Sequence, residues 1–215
     1  MAEFGQEHNS VSVRVRPARA EDLEAAGAIL VEAFRGKFQA AFPDRMDRVA
    51  RIVARTFALE LKRGLSGPFV AEIGGKVAGT IALRRREDPE LGWPATAILF
   101  QEVGLLRGLR AMFYLSLLDQ PCGRDEVYVS DVAVAAPLRR RGIGQALMLH
   151  AEEIARAWSK RALVLDVSLG NHAARRLYRR LGYSEVKVRY SFLAGWLLGL
   201  GEWIRMKKVL PPAAP

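Results

Sequence analysis

The sequence predicts an α/β protein, an α+β mixed sheet with helices on both faces, and three observations predict it. Extended segments alternate with stretches of helical spacing in the order β-α-α-β-β-insert-β-α-β-α-β-β. One extended segment, ALVLDVSL at 162–169, is apolar almost throughout, as strands buried on both faces are. Two apolar runs flank Gly74 and Gly75, which reads as a hairpin, so part of the sheet must be antiparallel.

Each element has its own signal. Residues 11–17, VSVRVRP, alternate apolar and polar as a half-buried first strand does. A helix is predicted over 20–38, with Leu23, Ala26, Ile29, Leu30, Ala33 and Phe34 on one face and acidic residues in the first turn, where the helix dipole favours them. A second helix is expected from near Asp44, after Phe42 and Pro43, to Gly64. The hairpin occupies 68–87. Residues 88–124 interrupt the pattern as an apolar insert, DPELGWPA reading as a loop and 98–119 as one or two very apolar helices. GRDEVYVSDVAVAAP predicts an extended strand up to Pro137. GIGQALMLHAEEIARAWSK follows as an amphipathic helix, with Ala146, Leu149, Ile154 and Trp158 among its apolar positions. NHAARRLYRRLGY is a short helix stopped by Gly182, and residues 184–210 read as two strands around an apolar loop. The expected organisation is a single domain over 11–210 that includes the insert 88–124, with flexible ends at 1–10 and 211–215.

Composition narrows the function. A net charge of +10, from 33 Lys plus Arg against 23 Asp plus Glu, favours nucleic acid, anionic lipid or a phosphate-bearing cofactor, or is simply a basic surface. Aromatic residues are not interleaved with the basic ones as a single-strand-binding groove requires, which argues against nucleic acid. The single cysteine, Cys122, excludes a disulfide framework or a cysteine-rich metal site and fits a reducing, cytoplasmic setting. The amino terminus lacks the charged head and apolar core of a secretory signal. Arg107 and Arg110 interrupt one of the longest apolar stretches, so no transmembrane helix is expected. His8, His150 and His172 have no partner at metal-ligand spacing, and no metal site is expected.

The stretch PLRRRGIGQALM, 137–148, carries the chemistry. Where a strand gives way to a helix, several backbone N–H groups lack an intrahelical partner and point along the positive end of the helix dipole. Glycines let a phosphate approach that backbone, and Arg139, Arg140 and Arg141 add fork-shaped cationic donors. The stretch alone fits either a pyrophosphate cup or an ordinary helix cap with a solvated basic turn. It is neither a Walker loop, since no Gly-Lys-Ser/Thr ends it, nor a Rossmann fingerprint, since the glycines follow the wrong strand.

Read with its downstream segment, the stretch gains a family. RRRGIG matches an arginine-or-glutamine, x, x, glycine, x, glycine-or-alanine signature through Arg139, Gly142 and Gly144. DVSLGNHAARRLYRRLGY then carries Asn171, Ala174, Leu177, Tyr178 and the ending Leu181, Gly182, Tyr183. Together these resemble the GNAT superfamily of acyl-coenzyme A-dependent N-acetyltransferases, specifically over 125–183 and generally over about 11–87. The resemblance implies a GNAT-like fold whose fourth and fifth strands splay apart, with acetyl-coenzyme A as cosubstrate in the gap. Its pantetheine arm would meet the backbone of Val132, Ala133 and Val134, and its pyrophosphate the cup formed by Arg139, Arg140, Arg141, Gly142, Ile143 and Gly144. Asn171 and Ala174 would lie near the cofactor. Tyr178 would protonate the departing thiolate as general acid, the alternative being a tyrosine packed on the inner face of its helix.

The base is less determined. Alternation places Tyr128 and Ser130 on one face of the fourth strand and Val127, Val129 and Asp131 on the other. In relatives the positions matching Tyr128 and Ser130 often hold the base, sometimes acting through water, but here neither is the glutamate or histidine seen in many of them. Tyr128 is the candidate, through a much lowered pKa or a place in a water chain. Asp131 and Glu126 are alternatives if the strand bulges, and Glu102 of the insert is another. Cys122 is expected to be a bystander, because direct transfer in a ternary complex needs no nucleophile on the protein. The expected acceptor is a primary amine of a small, partly hydrophobic molecule; the rivals are acetylation of a protein amino terminus or lysine, and a non-catalytic acyl-coenzyme A-binding module. Two apolar segments, 93–118 and 190–203, are candidates for a satellite core, a homodimer interface, a wall of the acceptor pocket, or a peripheral membrane contact with Arg107 and Arg110 at anionic headgroups.

Overall fold

A computed structural model describes residues 12–116, 122–190 and 201–211. Their strands are β1 (Arg14–Pro17), β2 (Pro68–Ile73), β3 (Lys76–Arg85), β4 (Glu126–Val129), β5 (Ala133–Val134), β6 (Ala162–Ser168), β7 (Ser184–Tyr190) and β8 (Glu202–Val209). They form one sheet in the order β1-β2-β3-β4-β6-β8-β7, with β5 continuing on β3 after β4. Every pairing is antiparallel except β4 with β6, the pair joined through a crossover helix, so the sheet is mixed as predicted.

Helices cover both faces because β3 offers an apolar residue to each in turn. Ile81 and Leu83 join Val127 and Val129 beneath α6 (Ile143–Ala157) and α7 (His172–Arg180). Ala82, with Val70 and Ala133, faces α1 (Leu23–Ala33), α2 (Arg35–Ala41), α3 (Met46–Lys62), α4 (Gly92–Val103) and α5 (Leu105–Ser116). At Gly79 of β3 a β-carbon would come within 2.8 Å of the Ala133 carbonyl oxygen and 3.2 Å of Ile143 and Leu147. Its bare backbone therefore lets β5 and α6, the two elements that lead into and out of the basic loop, lie close to the sheet.

Four expectations are corrected. The helix predicted over 20–38 is a 3-10 turn at Ala20–Asp22 followed by α1 and α2, broken at Phe34 (φ −112°, ψ 30°). The break redirects the chain so that Phe38 and Ala41 become buried with α1, and packing prevails over helical continuity. The loop expected at 88–95 yields from Gly92 to α4, whose Pro94 is tolerated because a first-turn N–H has no intrahelical acceptor. Leu149 is exposed, since the buried stripe of α6 runs through Ile143, Leu147, Met148, Ala151 and Ala155. The strand predicted to continue to Pro137 is interrupted between β4 and β5. Residues 1–10, 212–215 and most of the loop expected at 190–203 lie outside the described residues.

Candidate functional site

That interruption builds the site. Leu83 pairs with Val129, and Thr80 with Ala133, so two residues of β3 oppose three of its neighbour: a β-bulge at residues 130–132. Parallel pairing of β4 to β6 ends at Tyr128 with Val164, and β5 pairs only with β3, so the two strands part beyond Tyr128. The Ala135 N–H donates to the Ala78 carbonyl, and by antiparallel alternation Ala133 also turns its backbone to β3. Val132 and Val134 then present theirs to the gap. Of the three residues expected to meet pantetheine, Ala133 is the one the ladder turns away.

Next to the gap stands the basic loop. Arg140 (φ 68°) and Gly142 (φ 79°) are both left-handed, and Gly142 caps α6. Among the described residues, no protein acceptor meets the backbone N–H groups of residues 140–145, while Ala146 N–H returns to the Gly142 carbonyl. The glycine at 142 is required by its φ, and a β-carbon there would meet nothing within 4 Å. Ile143 serves the core rather than the loop surface, being buried under β3. Arg139 bends back, its Nε donating to the Val134 carbonyl at 3.2 Å with Glu32 4.0 Å away, whereas Arg140 and Arg141 are exposed.

A cleft of about 350 Å³ opens where the strands part. Tyr128, Ser130 and Val132 line it from one strand and Leu165 to Ser168 from the other; the α1–α2 corner, from Phe34 to Lys37, covers it. Asn171, Ala174 and Tyr178 enter from α7, and Arg189 and Trp203 from β7 and β8. Asn171 is the helix cap, its Oδ1 accepting from Ala174 N–H at 3.1 Å. Tyr178 is buried, and burial pushes its phenol up to about 12. Its hydroxyl has no hydrogen-bond partner among the described residues. Among the described residues of the insert none lines the cleft, and α4 and α5 pack on α3 and α2, whereas Trp203, at the end of the other apolar segment, does line it.

Opposite Tyr178 the cleft is built from side chains. Tyr128 donates to Asp166 Oδ2 at 3.2 Å, and Arg205 clasps the same carboxylate at 2.7 and 3.2 Å. Burial, together with Asp166 and Asp131, raises the Tyr128 pKa above the usual phenol range. A lowered pKa for Tyr128 is thereby corrected, and its place in a hydrogen-bonded chain is what remains of that expectation. The bulge turns Asp131 toward Lys37, 4.0 Å away on the cleft wall, rather than to the opposite face. Glu126 is held by Lys207 at 2.7 Å and by Gly123 N–H at 2.9 Å; burial opposes them, yet its carboxyl stays below the usual range. Glu102 is tied to Arg55, Arg51 and Arg48. Glu60 of α3 is different: burial first, then the charges of Asp131 and Asp88, raise it to about 7. Neither Glu60 nor the Asp166–Arg205 pair was found by reading motifs. A carboxylate inside the apolar run ALVLDVS was the available signal for Asp166, because such residues are seldom buried unpaired.

Comparison with known proteins agrees with this geometry. The sequence model of the acetyltransferase (GNAT) family matches residues 28–183. The chloroplastic GCN5-related N-acetyltransferase 4 of Arabidopsis thaliana is 32% identical over 189 residues, which cover 83% of this chain but 63% of that protein; the chain thus spans less than two thirds of its length. An acetyltransferase crystal structure superposes with a TM-score of 0.68 at 21% identity, covering 92% of this chain and 100% of the other. A Bacillus subtilis acetyltransferase solved in complex with CoA gives a TM-score of 0.57 at 14% identity, covering 93% and 100%. At these identities the structural likenesses speak for the fold. The family match spans the α1–α2 corner, the parted strands, the basic loop and Tyr178, and the chain belongs to the GNAT acetyltransferase family.

Proposed function

We propose that the protein transfers an acetyl group from acetyl-coenzyme A to the primary amine of a small, partly hydrophobic acceptor, by direct attack in a ternary complex. One observation carries the reading: the protonated Tyr178 hydroxyl, without a partner among the described residues, lines the same cleft as the unpaired strand edge. The backbone N–H groups of residues 140–145, which lack acceptors among the described residues, fit a diphosphate, with Arg140 and Arg141 beside them. Bound there, acetyl-coenzyme A supplies the activated acetyl thioester.

The chain's own groups do the rest. Val132 and Val134 offer outward N–H groups that stabilise negative charge growing on a carbonyl oxygen in the gap. Tyr178, whose pKa of about 12 keeps its proton in place at neutral pH, donates it to the leaving sulfur. The acceptor must reach the site as a neutral amine, since an ammonium has no lone pair to attack with. Tyr128 stays protonated and so holds and orients a hydrogen-bonded amine or water, while Asp131 and Glu60 are the carboxylates assigned to draw its proton away.

Phe34, Val132 and Trp203 give the cleft apolar wall, and a volume of about 350 Å³ suits a small acceptor better than a folded chain end. The test is thiol release from acetyl-coenzyme A across a panel of amines. Turnover of apolar primary amines is expected. Turnover confined to polar amines or peptide amino termini overturns the acceptor class, and coenzyme A binding without any turnover makes the protein an acyl-coenzyme A-binding module.

A further inference from the structure

Helix α5 buries its smallest residues and exposes its largest apolar ones. Gly108 and Ala111 face inward, and the Phe100 ring of α4 lies where a β-carbon on Gly108 would stand. Leu105, Leu106, Leu109, Met112 and Phe113 are 60%, 81%, 50%, 39% and 50% exposed. At about 100° per residue these five occupy one unbroken arc of about 120°, from Met112 round to Leu106, with Gly108 about 40° and Ala111 about 100° beyond Met112. Arg110 borders the arc, about 40° beyond Leu106, Arg107 lies about 100° beyond Leu106, and the helix carries no acidic residue. A soluble surface helix has the reverse pattern, and an apolar patch of this size marks an interaction site.

Charge decides what covers it. A second copy would bring the Arg107 and Arg110 pairs together, between chains that each carry +10, and like charges facing one another disfavour that contact. An anionic lipid surface complements both features, taking the apolar arc into the acyl boundary while the arginines extend to headgroups. At 12 residues α5 is too short to span a bilayer, and no described helix is long and apolar enough to cross one. We propose that the insert is a membrane-docking element, which lays α5 in the plane of an anionic bilayer.

The experiment is sedimentation of the full chain with vesicles of phosphatidylcholine alone or mixed with phosphatidylglycerol. The wild type is expected to bind the mixed vesicles in preference. Leu106→Gln with Phe113→Gln removes apolar area without adding charge, and should weaken binding roughly tenfold or more. Arg107→Gln with Arg110→Gln should weaken binding to mixed vesicles by a similar factor. These side chains are exposed, so circular dichroism and coenzyme A binding should be unchanged in both variants. Full binding by the Leu106 and Phe113 variant assigns attachment to the basic surface at large and overturns the proposal. A wild type that ignores both vesicles also overturns it; if that protein is a dimer broken by the same variant, the face belongs to a second copy.

Discussion

The two sides of the cleft are made differently. On the α6 side, a bulged strand edge and a left-handed loop supply main-chain N–H groups, and few side chains matter to the geometry. On the α1–α5 side, Lys37, Tyr128, Asp131, Asp166 and Arg205 come from four separate elements and the bulge, and pair only after folding, Lys37 with Asp131 and Tyr128 and Arg205 with Asp166. A carrier common to a whole family can be held by backbone, whose chemistry does not vary with sequence. Discrimination among acceptors requires groups that do vary.

Tyr178 sits at the boundary, and its removal should have the largest effect. Tyr178→Phe deletes the hydroxyl proposed as proton donor but keeps the ring, so kcat should fall about 100-fold or more while coenzyme A affinity stays within about twofold. Steady-state thiol release and titration calorimetry read the two quantities separately. Equal losses in both would move Tyr178 to the binding side and blur the division.

Next in size comes the Asp166 carboxylate, which serves Arg205 and Tyr128 together. Asp166→Asn removes the charge that a half-buried guanidinium is clasped around, and should lower stability by about 2 kcal/mol, seen in the urea midpoint. Acceptor KM should rise while coenzyme A affinity holds. An unchanged midpoint would mean that the acceptor side is not organised by this pair. Gly142→Ala probes the other side, where the left-handed backbone is the cost and no atom lies near the new methyl. It should weaken coenzyme A binding roughly tenfold, the strain of one alanine in that conformation. Gly144→Ala, whose methyl meets the flexible Leu177 at 3.3 Å and Val134 at 3.9 Å, should do less.

The same division explains how much could be read from the sequence. The alternation of strands and helices, the hairpin and the basic loop were legible because glycine spacing and apolar periodicity are local signals, whereas Tyr178 came with the family resemblance. The break at Phe34 was not legible, since the cluster that buries Phe38 and Ala41 also draws on α3, α4 and α5, which come later in the chain. Pro94 misled in the opposite direction, suggesting a loop where it starts a helix. The bulge at residues 130–132 was anticipated as a condition for Asp131, but nothing in VSDVA fixes its register; that comes from pairing with β3. Glu60 lay in an amphipathic helix among other charges, and only its burial and the charge of Asp131 set it apart.

Glu60 therefore gives the smallest and most specific test. Its folded pKa of about 7 lies above the ordinary 4.5, so the fold favours the neutral carboxyl. The stability this provides is complete below about pH 4.5 and is lost as pH rises through 7. Glu60→Gln cannot ionise and keeps that stability, so the variant should gain on the wild type between pH 5 and pH 8 by about 1 kcal/mol, with solvent access reducing the full linkage value. Melting temperatures across that range check the sign, and a gap that does not change with pH would remove the electrostatic cause. Activity gives the second reading: a wild-type kcat/KM that rises with an apparent pKa near 7 should lose that limb in the variant. If the limb persists, proton removal from the amine belongs to Asp131 and water alone, and the acceptor side does not extend to Glu60.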